Sequence, residues 1–182
     1  MKKLFFFFAF CLFLLPNVGQ SNDTAMSVRG GTLKCINRNI AIGPTDGKET
    51  IAKTNGVFCG FYGGFRVGYG LNVPSPKTEK SLVKIFEITM VDGTKYSFDD
   101  LWNFLGETWK SPKQCLTQSQ IIWFCKNHED WLSNIPGQTF FFFKKADGTV
   151  FIADVYWTND GLEVLLGTRS NINKGDRIIV PR

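Results

Sequence analysis

Gln138-Thr139-Phe140-Phe141-Phe142-Phe143, a turn at Asp147-Gly148, and Val150-Phe151-Ile152-Ala153-Asp154-Val155-Tyr156-Trp157 form the stretch that decides the fold. Aromatic and β-branched residues favour a pleated, half-buried surface, and Asp-Gly supplies the backbone freedom of a tight hairpin. Asn159-Asp160-Gly161 repeats the turn chemistry and leads into Leu162 to Leu166, with a last strand expected at Arg177 to Val180. The strand from Val150 to Trp157 is apolar on both faces, which suits a strand covered twice or lying centrally.

Working upstream, Thr117-Gln118-Ser119-Gln120 has the Thr-x-x-Gln form of a capping box, placed just before an apolar run. Ile121, Phe124, Cys125, His128 and Leu132 recur at helical spacing and give that helix its buried stripe. A shorter helix is expected from Asp99 to about Trp109, with Ser97 or Asp99 as cap. Leu82 to Met90 turns through Asp92-Gly93-Thr94 into Lys95 to Phe98, a central hairpin. A short strand near Thr32 to Ile36, a weak one through Ile40 and Ile42, and a short return strand at Thr50 to Lys53 flank the turn Gly43-Pro44-Thr45-Asp46-Gly47. The segment from Gly56 to Gly70 mixes glycine with aromatics, and its alternation from Phe65 onward suits a half-buried strand. Glycines there mark bulges or a close approach to bare backbone, so Tyr62, Phe65 and Tyr69 become candidates for an aromatic binding surface.

The chain opens with Lys2-Lys3 and an apolar run from Leu4 to Leu15, followed by Pro16 and the small residues Gly19 and Ser21. That is the pattern of a secretory leader. The run is too short for a stable membrane span, so residues 1–21 are expected to be removed and residues 22–182 to form one domain. Without Lys2 and Lys3, the 21 basic residues exceed the 16 acidic ones by only three, too mild a surplus for a nucleic-acid partner. Loss of Cys11 leaves four cysteines, Cys35, Cys59, Cys115 and Cys125, an even number that suggests two disulfides in an exported chain. Cys125 lies well inside its helix and Cys115 just before the cap, so bonds from these two to Cys35 and Cys59 are expected.

Chemistry is sparse. His128 is the single histidine, which excludes any site needing two. A cysteine hydrolase would need Cys59 as thiolate, His128 as its base and a carboxylate such as Asp154 to orient the ring. Cys125 and His128 have the spacing of half a zinc site, but core packing explains them more simply, and no metal or cofactor is expected. Acid pairs such as Asp99-Asp100 and Glu129-Asp130 suit helix caps and solvated faces. Trp123 falls one position off the buried stripe and is a further binding candidate. The expectation is a disulfide-bonded α+β domain, mainly antiparallel, with N-terminal strands, a central hairpin, a C-terminal meander and two central helices. Its expected role is that of a periplasmic or secreted interaction module, such as an inhibitor or envelope-associated factor. The partner would be a protein or cell-envelope ligand, and the cysteine hydrolase is the alternative.

Overall fold

A computed structural model describes residues 26–28, 31–62, 73–90, 115–144, 148–167 and 172–182. The described strands are β1 (Met26–Val28), β2 (Gly31–Ile42), β3 (Gly60–Tyr62), β4 (Ser81–Met90), β5 (Gln138–Lys144), β6 (Val150–Thr158), β7 (Gly161–Leu166) and β8 (Arg177–Pro181). They form one sheet in the order β1-β2-β4-β8-β5-β6-β7-β3. The helix α1 (Gln118–Asn127) is the one α-helix among the described residues, and 3-10 turns occupy Ile51–Lys53 and Glu129–Trp131.

The sheet is mixed, which corrects the expectation of a mainly antiparallel one. β5 pairs β8 in parallel, and β3 pairs β7 in parallel. The β5-β6-β7 meander forms through the expected turns, with Gly148 at φ 91° and Gly161 at φ 131°. β8 leaves that meander and inserts between β4 and β5. It can do so because Ile178, Ile179 and Val180 are fully buried, so the strand is apolar on both faces as a central strand must be.

A second correction concerns the helices. Two were expected, and α1 is the one found among the described residues; the stretch 99–109 assigned to the other lies outside them, as does the 95–98 arm of the central hairpin. The expected return strand at 50–53 is a 3-10 turn instead. The capping box of α1 forms: Thr117 Oγ1 accepts from the Gln120 amide at 3.2 Å, and Gln120 Oε1 accepts from the Thr117 amide at 3.0 Å. The helix ends at Asn127, because His128 leaves helical geometry at φ −141°, ψ 42°.

Alternation along the strands splits the core into two layers. Phe141, Phe143, Ala153, Val155 and Ile179 pack with Ile121, Phe124 and Cys125 of α1. Phe140, Phe142, Ile152, Ile178 and Val180 pack on the opposite face with Leu33, Ile88 and Ile172. The sheet is thus buried on both sides, as the composition of β6 requires.

The third correction is that the four cysteines are free thiols. Cys125 is fully buried in the helix-side layer, while Cys115 packs against the opposite layer. Cys35 stands opposite Phe86, four residues along β4 from Leu82, which lines the groove beside Cys115. Cys59 lies at the far edge, with its amide bonded to the Leu162 carbonyl. The fold distributes the four side chains over two faces and one edge, and burial of the core holds it together without them.

Candidate functional site

The hydrolase residues are not brought together. Cys59 is exposed beside the β6–β7 turn, where its sulfur is in contact range of any side chain placed at Gly161. His128 points at β2, and its Nε2 lies 2.9 Å from the Ala41 carbonyl oxygen. A carbonyl only accepts, so Nε2 carries the proton and donates it. β2 and β7 are five strand positions apart in the sheet. Asp154 alternates with Ala153 and Val155, so it faces the layer opposite α1, and it is fully buried. The other thiols are poorly suited to attack. Burial pushes the Cys125 thiol far up, with Glu129 adding to the rise, and burial also raises Cys115 against the lowering effect of Lys144. Thiolates are the reactive form, so both remain protonated at neutral pH.

The binding candidates divide. Tyr62 ends β3 at the sheet edge, 42% exposed, with its hydroxyl 3.4 Å from Glu163 Oε1. Phe65 and Tyr69 lie outside the described residues. Trp123 is half-buried: its ring covers Gly43 and meets the His128 ring edge-on at 5.5 Å. A methyl group at position 43 would stand 2.8 Å from the Trp123 ring. Gly43→Ala is therefore expected to destabilise the protein by about 1 kcal/mol, read as a lower urea midpoint. An unchanged midpoint would show that the tryptophan swings freely.

Sequence patterning missed a groove of about 560 Å³ built from three distant segments: Lys80, Ser81 and Leu82 at the start of β4, Cys115, Leu116 and Gln120 at the start of α1, and Pro181 with Arg182 at the end of β8. Its origin is a fork in the sheet. β8 pairs β5 only from Thr139 to Phe141, and beyond that point β5 takes Leu116 as its partner, through a bridge to Phe143 and a 2.8 Å bond from the Leu116 amide to the Phe142 carbonyl. The Arg182 amide points at β4, where it donates to the Leu82 carbonyl at 2.9 Å. The nitrogen at position 181 therefore faces the fork, since backbone groups alternate along a strand. Proline there removes the donor that would zip the two strands together.

The walls of the groove are held in place by buried polar contacts. Gln120 Nε2 donates to Ser81 Oγ at 3.1 Å, tying the first turn of α1 to β4. Gln118 Oε1 accepts from the Ile51 amide at 3.0 Å, and Ser119 Oγ donates to the Glu49 carbonyl at 2.7 Å. Lys126 and Glu49 close the same interface with a 2.8 Å ion pair. These bonds explain why the polar residues Gln118, Ser119 and Gln120 are buried rather than solvated. Arg182 is steadied by a 2.6 Å bond from Nη1 to Asn39 Oδ1. No acidic residue lines the groove. Among the described residues no group of three or more His, Cys, Asp or Glu could hold a metal ion, and no helix is long and apolar enough to cross a membrane.

No family model, curated protein or solved structure matches the chain.

Proposed function

We propose that the chain is an exported binding module, periplasmic or secreted, that engages a protein or cell-envelope ligand through the groove at the forked end of its sheet. The observation that carries this reading is the groove itself, about 560 Å³, within the size range of ligand sites. Its lining mixes the apolar Leu82, Leu116 and Pro181 with the polar Lys80, Ser81 and Gln120, the mixture that gives a site both affinity and orientation. Export rests on the leader pattern of residues 1–21 alone, since the cysteines lend it no disulfides.

Site-specific photocrosslinking tests the reading. A photoreactive residue replacing Lys80 is expected to trap a discrete adduct when the protein is made in its own cells. The same residue replacing Lys48, an exposed position outside the groove, is expected to trap none. Adding Leu82→Trp, which fills the groove, is expected to abolish the adduct. Equal adducts at both positions, or an adduct indifferent to Leu82→Trp, would refute the groove as the binding surface.

A further inference from the structure

His128, the single histidine, lies against the outer edge of β2. We infer that it is an edge lock: by occupying the Ala41 carbonyl it keeps β2 from pairing with the β2 of a second copy of this chain. β2 runs from Gly31 to Ile42, but β1 covers only Gly31 to Leu33. From Lys34 to Ile42 its outer side has no strand partner among the described residues. An open edge of that length is a template for a further strand.

The direction of the Ala41 backbone follows from its neighbours. The Leu82 carbonyl accepts from the Arg182 amide, so the backbone of Leu82 faces β8. Ala41 is the antiparallel partner of Leu82, and the two therefore form a non-hydrogen-bonded pair. The N–H and C=O of Ala41 then point away from β4, toward the open edge. That carbonyl is the one His128 Nε2 holds at 2.9 Å. Trp123 and Phe124 fix the imidazole in place, with ring centroids 5.5 and 5.2 Å away. The edge is turned from pairing beside this point as well. Register shifts interrupt β2 between Cys35 and Asn37 and between Asn37 and Ile40, and Asn37 Oδ1 accepts from the Asn39 amide at 2.9 Å. Beyond the shifts the register is unbroken from Ile40 to Ile42, with Ala41 at its centre. On a two-fold axis there, each Ala41 would exchange both backbone bonds with the other. Ile40 would stand opposite Ile42 and Arg38 opposite Pro44, so no like charges would meet. The unlocked edge is thus complementary to itself.

Sedimentation velocity of the full chain over a range of concentrations, with amide hydrogen exchange read at Ala41, tests the lock. The parent is expected to keep one mass and an Ala41 exchange rate independent of concentration. His128→Leu removes the donor and leaves an apolar side chain between the two rings. It is expected to dimerise as concentration rises, with exchange at Ala41 slowed at least about ten-fold in the dimer. His128→Gln can bring an amide N–H to the Nε2 position and is expected to behave as the parent. Adding Ala41→Pro to His128→Leu removes an outward donor and no bond to β4, so the parent mass is expected to return. Where His128→Leu loses the near-ultraviolet circular dichroism of the parent, His128→Asn, whose amide stops one bond short of Nε2, is read in its place. A folded donor-less variant that keeps the parent mass overturns the inference. So does a dimer in which Ala41 exchanges as in the parent, or a parent whose Ala41 becomes protected with concentration. Neither Ala41 nor His128 lines the groove, so this result is separate from the crosslinking at Lys80.

Discussion

Phe141→Ala is expected to destabilise the protein by about 3–5 kcal/mol, the range for emptying a fully buried aromatic site. Phe141 has no exposed surface and lies in the helix-side layer. Its ring meets the Phe124 ring of α1 edge-on, with centroids 5.6 Å apart. Its backbone position is opposite Ala153 on one side and Ile179 on the other, so it stands at the seam where the β8 block joins the meander. That parallel seam is only three residue pairs long. Side-chain packing across it must therefore supply what a longer hydrogen-bond ladder would. Phe141→Leu keeps most of the volume and is expected to lose less than about 1.5 kcal/mol. Urea unfolding by fluorescence and by circular dichroism checks both values. A loss below 1 kcal/mol for the alanine variant would mean that the seam does not depend on this ring.

That seam also marks the limit of what the sequence discloses. Local chemistry was readable where it acts over a few residues. The turns at Gly148 and Gly161, the Thr117–Gln120 capping box and the two-sided burial of β6 all appear as expected. Pairing between strands far apart in the chain leaves no such trace. Nothing near Arg177 specifies that β8 will lie between β4 and β5, because an apolar run such as Ile178-Ile179-Val180 fits any doubly covered position. The expected C-terminal run counted Arg177 to Val180 among its antiparallel strands, whereas β8 pairs β5 in parallel.

The surroundings of Trp123 and the cysteines were hidden from the sequence for the same reason. Trp123 falls one position off the buried stripe of its helix, yet its ring is half-covered because Gly43, directly after β2, lies beneath it. Four cysteines behind a leader-like N-terminus suggested pairing by number, whereas pairing is decided by geometry. Cys115 and Cys125 are ten positions apart in sequence and lie against opposite layers of the sheet. The groove escaped notice because each contributing segment is ordinary alone: a Lys-Ser-Leu strand start, a helix cap and a Pro-Arg end. One local signal did exist. A proline closing an apolar strand such as Ile178–Val180 marks a place where ladder pairing stops.

The stability of the fold is expected to fall as pH rises from about 4 to about 6, through Asp176. This residue precedes β8 and has no exposed surface. Its Oδ1 accepts from the Gln138 amide at 2.8 Å and its Oδ2 from the Asn173 amide at 2.7 Å. Burial raises its pKa from 3.8 to about 6, and the two amide bonds only partly oppose the rise. The folded state then holds a proton that the unfolded chain releases near its ordinary value. Between those two values the unfolded state binds fewer protons, so the free energy of unfolding declines with pH. The stability is fully present below about 4 and lost once pH passes about 6. The amplitude is on the order of 2 kcal/mol, allowing for residual screening of the carboxylate. Asp176→Asn cannot titrate and should flatten this part of the profile. It also exchanges one accepted amide bond for a repulsive contact, so its stability at low pH should lie about 1 kcal/mol below the parent. The slope separates the two effects, since only the titration makes the difference between parent and variant change with pH. Urea unfolding at half-unit steps from pH 3.5 to 7 measures it. A profile with the same slope in parent and variant would place the titrating group elsewhere.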